Sequence, residues 1–133
     1  IRTDENSELQ KEIINNAKLC IQLSKQEFGI DLDYSEESIK KLEYIITKYF
    51  PIKRKFSKEL LFNFGSMLGE IIRKNIGGHW NYYNYQGEET IALLDYQGKG
   101  SALFPIDKIC KRLNDGKGDD IEFYYQVIKK GLD

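Results

Sequence analysis

Hydrophobic residues recur at intervals of three and four in the first half of the chain, which is the spacing of one helical face. The first such stretch runs from Ser7 to about Phe28 and ends at Gly29, a residue type that commonly closes helices. Ser7 and Gln10 stand in the spacing of a capping box. The pattern therefore predicts a long first helix.

Two further helices follow from the same spacing. Ser35 is placed to cap the second helix, and Pro51 ends it because proline disfavours helical geometry in the residue before it. Ser57 is placed to cap the third helix, and the pair Gly77-Gly78 stops it. Their apolar faces are Ile39, Leu42, Ile46, Tyr49 and Phe50 in the second, and Leu60, Leu61, Phe64, Met67, Leu68, Ile71, Ile72 and Ile76 in the third.

The third helix contains two interior glycines, Gly65 and Gly69. Each costs about 1 kcal/mol relative to alanine, and at a spacing of four they share one face. Another group can approach that face closely, so the pattern predicts a crevice between this helix and the following sheet. Glu70 and Arg73 lie beside it, and the four residues together form a possible cleft.

The hydrophobic period changes from helical to alternating after Gly78. One face of a first strand would carry His79, Asn81, Tyr83 and Tyr85, and the other Trp80, Tyr82 and Asn84. Turn residues at 86–88 and 97–100 separate this strand from a second, at about 90–96, and from a third at 101–104. Three consecutive strands with short turns predict an antiparallel meander.

Two short helices complete the chain. Pro105 suits the first turn of a fourth helix, and Asp119 or Asp120 can cap the last. We therefore expect an α+β fold with three N-terminal helices, a three-stranded antiparallel meander and two short C-terminal helices, in one domain over residues 1–133.

The composition limits the classes of protein to which the chain can belong. A chain of 133 residues can bury about two-thirds of its unfolded surface in one core. No run of 18 apolar residues exists, so no membrane span is expected. Cys20 and Cys110 stand far apart and outside any metal-binding motif, which is typical of reduced thiols and favours the cytoplasm. The first residue is Ile1, which leaves open that an upstream segment or tag has been removed.

The charges are balanced in total but not along the chain. The 20 Lys and Arg against 21 Asp and Glu argue against a dedicated nucleic-acid binder. A basic segment, 44–80, nevertheless lies between acidic flanks. A nucleic-acid module would have to use Lys53, Arg54, Lys55 and Lys58 together with the aromatic residues, and we regard it as the third alternative.

Catalytic motifs are weak in this sequence. His79 is the single histidine, and it directly follows a helix terminator, where a structural role is the default interpretation. A histidine-rich metal site is excluded by count, and Asp115, Asp119 and Asp120 lack the spacing of a calcium loop. The segment 98–101, GKGS, resembles a phosphate loop in composition only and is interpreted as a hairpin turn. We expect no metal and no cofactor.

Aromatic residues are concentrated on the predicted hairpin. Tyr and Trp are enriched at the energetic centres of protein interfaces, and one face of a half-buried strand has no role in the core. The residues expected to contact a partner are His79, Trp80, Tyr83, Tyr85 and Tyr96. Glu70 and Arg73 carry the alternative, an enzyme or small-ligand domain in which Glu70 acts as acid or base and Arg73 holds an anion.

One set of motifs resembles a family of small bacterial domains of unknown function. The segment 68–73, LGEIIR, is followed by Gly77-Gly78 and Trp80, and the segment 104–106, FPI, opens the next helix. Gly65 and the segment 32–38 are also similar to that family, so the resemblance covers about 28–125. It implies a helix leading into an antiparallel sheet, and it carries no activity.

The leading hypothesis is therefore a non-enzymatic bacterial protein-binding domain. Small α+β domains of this kind occur as immunity proteins, which neutralise a toxin domain by steric blocking, and this is an analogy of fold. The expected partner is another protein, with a cognate toxin domain as the specific form. The sequence leaves the oligomeric state open.

Overall fold

The computed structural model of the chain describes residues 6–50, 56–96 and 100–131. Its elements in chain order are α1 (Ser7–Phe28), α2 (Glu37–Tyr49), α3 (Lys58–Asn75), β1 (His79–Tyr85), β2 (Glu88–Leu94), β3 (Ala102–Leu103), α4 (Pro105–Asp115) and α5 (Ile121–Lys130). A short 3₁₀ helix, Gly116–Asp119, joins α4 to α5. This order confirms the predicted α+β class and its sequence of elements.

Most helix ends follow the expected capping chemistry. The Ser57 hydroxyl accepts a hydrogen bond from the Leu60 N–H at the start of α3, as predicted. Asp120 caps α5 through the Glu122 N–H, and Gly29 closes α1 in the left-handed conformation. The cap of α1 is Asn6, whose Oδ1 accepts from the Leu9 N–H, so the predicted capping box at Ser7 is wrong.

The start of α2 also differs from the prediction. Ser35 was expected to cap this helix, but its N–H and hydroxyl both donate to the Asp33 carboxylate, and α2 begins two residues later at Glu37. The Ser38 hydroxyl accepts from the Asp33 N–H, which closes the turn from the other side. The Asp33 side chain thus takes hydrogen bonds that the Ser35 groups would otherwise make at the start of the helix, and a turn forms in its place. The predicted stop at Pro51 lies outside the described residues.

The sheet is an antiparallel meander in the order β1-β2-β3. Its register pairs Trp80 with Leu93, and Leu93 with Leu103. The N-terminus of α1 is bound to the edge of β1 that faces away from β2. There the Asn6 N–H donates to the Trp80 carbonyl at 2.9 Å. β3 has only two residues, and Phe104 alone separates it from Pro105, the first residue of α4.

The buried apolar residues of the described chain form a cluster to which the helices and the sheet contribute. Helix α3 runs through this cluster, packed against α1 and α4, and its segment 63–72 is buried at every position. A helix that is buried over several consecutive turns needs small residues where its neighbours come closest. Gly65 and Gly69 supply them.

Candidate functional site

The two faces of β1 have different surroundings. Alternate side chains of a strand point to opposite faces. The face that carries Trp80 is packed on the core where Leu93 and Leu103 adjoin it, and we call it the inner face, although Tyr82 further along it is 44% exposed. The outer face carries Tyr83 and Tyr85, whose side chains are 38% and 52% exposed.

Trp80 belongs to the core, so its predicted role as a partner contact is wrong. Its side chain has no exposed surface. Ring atoms Cη2 and Cζ2 would collide with a Cβ at Gly69. The indole therefore fills the space that the missing side chain leaves. Strand alternation turns Trp80 inward, and its neighbours Asn81 and Tyr83 outward.

The Glu70 cluster consists of Glu70, Arg73 and Trp80. Arg73 donates from Nε to Glu70 Oε2 at 2.6 Å and from Nη2 to Oε1 at 2.9 Å. The Trp80 indole Nε1 donates to the same Oε2 at 2.9 Å. The Glu70 side chain is 1% exposed, whereas Arg73 is 22% exposed. These hydrogen bonds hold β1 on α3, which gives Glu70 an organising role.

The predicted cleft at Gly65 and Gly69 is wrong because neighbouring residues fill it. A Cβ at Gly65 would lie 2.6 Å from the Ile106 Cα, and a Cβ at Gly69 would meet Trp80 and also Pro105. The glycines do allow close approach, as predicted, but the approaching groups belong to the fold. Glu70 consequently lies behind packed side chains, whereas the Arg73 guanidinium remains partly exposed.

The outer face carries a group of aromatic rings that we call the aromatic strip, formed by Tyr83, Tyr85 and Phe104. The Tyr83 and Phe104 ring centroids are 5.9 Å apart, and those of Tyr85 and Phe104 are 5.3 Å apart. Both distances suit favourable aromatic pairs. Phe104 is half-buried and follows β3, so it anchors two exposed tyrosines of β1 from the opposite edge of the sheet.

A groove of about 550 Å³ adjoins the aromatic strip, between the sheet and α4, and we call it the outer groove. Its apolar lining includes Leu103, Phe104 and Tyr124. Charged side chains of both signs also line it: Asp107, Lys108, Lys111 and Asp115. Because Tyr85 borders the groove as well, strip and groove form one continuous surface.

Tyr124 supplies a neutral phenol to the outer groove. Burial raises its pKa above the ordinary value, and nearby Tyr96 and Asp107 raise it further. The Lys108 ammonium lies 5.1 Å from the Tyr124 ring centroid and 3.3 Å from Asp119 Oδ1. Tyr96, one of the predicted contact residues, is thus near Tyr124 and not on the aromatic strip.

His79, another predicted contact residue, lies at the opposite end of β1 from Tyr85. Its Nε2 is 3.7 Å from Asp95 Oδ2. Asp95 adopts a left-handed conformation with φ of 57°, and its Oδ1 accepts from the Gly100 N–H. The structure therefore places His79 beside a turn and does not bring it to the aromatic strip.

The two cysteines are free thiols, as expected. Burial raises the pKa of Cys20 to about 12, so this thiol stays protonated and is not a nucleophile. Cys110 is half-buried and lines the outer groove. Within residues 6–50, 56–96 and 100–131, no group of three His, Cys, Asp or Glu side chains is arranged to hold a metal ion.

Of the basic residues considered for nucleic-acid binding, the structure describes Lys58 alone. Lys53, Arg54 and Lys55 lie outside the described residues, and Lys58 is exposed in the first turn of α3. In the part of the chain that the structure describes, no helix has the length and apolarity needed to cross a bilayer.

A second buried carboxylate, which sequence reasoning missed, forms the Glu43 cluster of Glu43, Thr47, Arg112 and the Ile121 N–H. Arg112 Nε donates to Glu43 Oε1 at 2.9 Å and Nη2 to Oε2 at 2.6 Å. Thr47 and the Ile121 N–H donate to the same carboxylate. Burial alone would favour the neutral acid, but the hydrogen bonds outweigh it and lower the pKa of Glu43.

Phe104 and Tyr124 were also missed as surface residues. A signal for Phe104 was present in the sequence, because it continues the alternation of β3 on the outer face after Ala102. Tyr124 lies on α5 and borders the outer groove.

Comparisons with known proteins bear on the fold alone. No model of a known protein family matches this chain, and no curated protein matches it. A crystal structure at 1.50 Å resolution of a protein from Bacteroides thetaiotaomicron VPI-5482 is similar, with a TM-score of 0.69 and 22% sequence identity. The similarity covers 99% of this chain and 46% of that one, so this chain spans about half of that protein's length. At this identity the likeness shows a shared fold and transfers no activity.

Proposed function

We propose that this chain is a non-enzymatic binding domain that docks a partner protein on the aromatic strip and the outer groove. The observation that carries the proposal is the exposure of Tyr83 and Tyr85 on the outer face, beside Phe104 and the outer groove. Large aromatic side chains lose little conformational entropy when they bury contact area, and they dominate the energy of many protein interfaces.

The shape and charge of the surface support a protein as the partner. The aromatic strip extends beyond the outer groove, so a small molecule in the groove would leave Tyr83 uncovered. The groove carries charges of both signs beside apolar side chains, which matches the composition of an interface rim around an apolar centre. The buried carboxylate Glu70 has no part in this proposal.

The narrower form of the proposal is an immunity protein that covers the working surface of a toxin domain. Its support is the analogy of small α+β architecture. In this form the mechanism is steric, and no residue of this chain performs chemistry. An equimolar amount of the chain should then abolish the activity of the captured partner, and a captured partner that stays fully active in the complex would contradict this form.

The experiment that tests the proposal compares three versions of the chain as bait in a lysate of the source cell. The wild-type chain should capture one dominant protein, and a Tyr83→Ser/Tyr85→Ser variant should lose it. Tyr44→Ser is the matched control, because Tyr44 is 51% exposed, as Tyr85 is 52% exposed, but lies on α2. Trp80 must be left intact because its removal would damage the core.

Each outcome of this comparison has a defined meaning. Capture that Tyr44→Ser retains and the double variant loses supports the aromatic strip as the contact surface. Equal capture by all three versions would overturn that assignment. All baits must first show the same thermal unfolding, since a shared loss of fold would mimic a loss of contact.

A further inference from the structure

The first strand is an edge strand of the sheet within the described part of the chain. The order β1-β2-β3 leaves one side of β1 without a neighbouring strand among the described residues. In an antiparallel pair, the backbone N–H and C=O of one residue point to the same side, and successive residues alternate. Edges of this kind add strands from other chains unless something prevents it.

Two hydrogen bonds show which residues of β1 point to this edge. The Trp80 carbonyl accepts from the Asn6 N–H, which lies outside the sheet. The Tyr82 N–H is held by the Asn81 side-chain Oδ1 at 2.7 Å, so it does not point to β2. Alternation then places the backbone groups of Tyr82 and Asn84 at the edge, beyond the point where Asn6 occupies it.

The edge strand lacks the charged residues and proline that often prevent strand addition. Its sequence, HWNYYNY, contains no Lys, Arg, Asp, Glu or Pro over seven residues. The nearest acids, Glu88 and Glu89, lie on β2, one strand further from the edge. The net charge of the chain is −1, so repulsion between two whole copies is small.

We propose that a second copy of this chain adds its β1 to this edge, antiparallel, about a two-fold axis at Tyr83. In this register Tyr82 of each copy lies opposite Asn84 of the other, and both residues have edge-facing backbone groups. Four hydrogen bonds can form, two for each such pair, when the Tyr82 N–H exchanges the Asn81 side-chain Oδ1 for a carbonyl of the second copy. A two-fold axis at Tyr82 would instead place Asn84 of one copy opposite Trp80 of the other, whose carbonyl already accepts from Asn6. An axis at Asn84 would place Tyr82 opposite Gln86, which belongs to the turn after β1.

A second copy suits this edge better than an unrelated strand, because the edge is complementary to itself. The two-fold axis brings Tyr83 next to Tyr83 of the second copy, and Asn81 next to Tyr85, so no like charges meet. The two three-stranded sheets become one sheet of six strands. This inference goes beyond the proposed function, because it concerns the backbone edge and is measured without any partner protein.

The test is the molar mass of the purified chain alone, by sedimentation equilibrium over a wide range of concentration. We expect the mass to approach that of two chains as concentration rises. Tyr83→Lys and Tyr83→Glu should each remain monomeric, because like charges would face each other across the axis. An equimolar mixture of the two variants should recover the dimer, because opposite charges then face each other.

A second variant tests the backbone directly. Asn84→Pro removes an edge-facing N–H and leaves the aromatic strip intact, so it should abolish the dimer. In the wild-type chain, hydrogen exchange at the Tyr82 and Asn84 amides should slow as the dimer forms. A wild-type chain that stays monomeric at every concentration overturns the proposal, and a dimer unaffected by these substitutions overturns the register. Loss of the dimer with partner capture intact would leave the proposed function standing.

Discussion

The protein contains two buried glutamate-arginine pairs that differ in how far apart the chain places their members. In the Glu70 cluster, Arg73 follows Glu70 by one helical turn and is 22% exposed. In the Glu43 cluster, Arg112 comes 69 residues later and is 4% exposed. The first pair joins α3 to β1 through Trp80, and the second joins α2, α4 and the start of α5. The Glu70–Arg73 pair needs only its own helix to form, and we expect the fold to tolerate the loss of its arginine. The Glu43–Arg112 pair forms only when α2 and α4 are packed together.

The largest effect is expected from Arg112→Ala. This substitution leaves the Glu43 carboxylate buried without its charged partner, which costs about 3–5 kcal/mol of the free energy of unfolding. Urea denaturation measures the loss. The double substitution Glu43→Leu/Arg112→Met should recover most of it, because no buried charge then remains. A double variant as unstable as Arg112→Ala would contradict this account.

A smaller effect is expected from Arg73→Ala. Glu70 keeps the Trp80 indole donor, and water can replace the guanidinium because Arg73 is partly exposed. The expected cost is about 1–3 kcal/mol, measured by the same denaturation. If Arg73→Ala proved as destabilising as Arg112→Ala, exposure would not be what distinguishes the two pairs.

Protonation of Glu43 should weaken its cluster at low pH. The pKa of Glu43 is lowered in the folded chain relative to the ordinary value of 4.5, so the unfolded chain binds its proton first as pH falls. The contribution is fully present above about pH 4.5 and is lost as pH falls through the lowered pKa. We expect Glu43→Gln to flatten the acid limb of the curve of unfolding free energy against pH. An unchanged acid limb would show that other carboxylates determine it.

The smallest effect on stability is expected on the outer face. Tyr83→Ala removes a ring that is 38% exposed and touches Phe104, at a cost of about 0.5 kcal/mol or less. The melting temperature should be nearly unchanged, while partner capture weakens. A large fall in melting temperature would mean that this ring supports the fold as the two buried clusters do.

Local patterns in the sequence predicted the helices and strands. They did not predict contacts between residues that are far apart in the sequence. The spacing of apolar residues gave α1, α3 and the alternation of β1, because each depends on neighbours within a few positions. Nothing within a few positions of Glu43 indicates Arg112, so that cluster could not be predicted from one sequence.

In the candidate site, too, local features were predicted and contacts between distant residues were not. Strand alternation correctly separated Trp80 from Tyr83, but the sequence did not show which face would be the inner one. The crevice at Gly65 and Gly69 was predicted correctly as a place of close approach. Its occupant, the indole of Trp80, comes from another element, and only the assembled fold shows that the space is full.

The burial of Trp80 also gives the protein a built-in optical reporter. It is the single tryptophan of the chain, so all indole emission comes from the junction of α3 and β1. In the folded protein the ring is shielded from water and its N–H is bonded to a carboxylate, whereas an unfolded chain exposes it to solvent. The wavelength of maximum emission should therefore shift to the red when this junction opens. Detachment of the sheet from α3 can then be followed separately from the loss of helix that circular dichroism records.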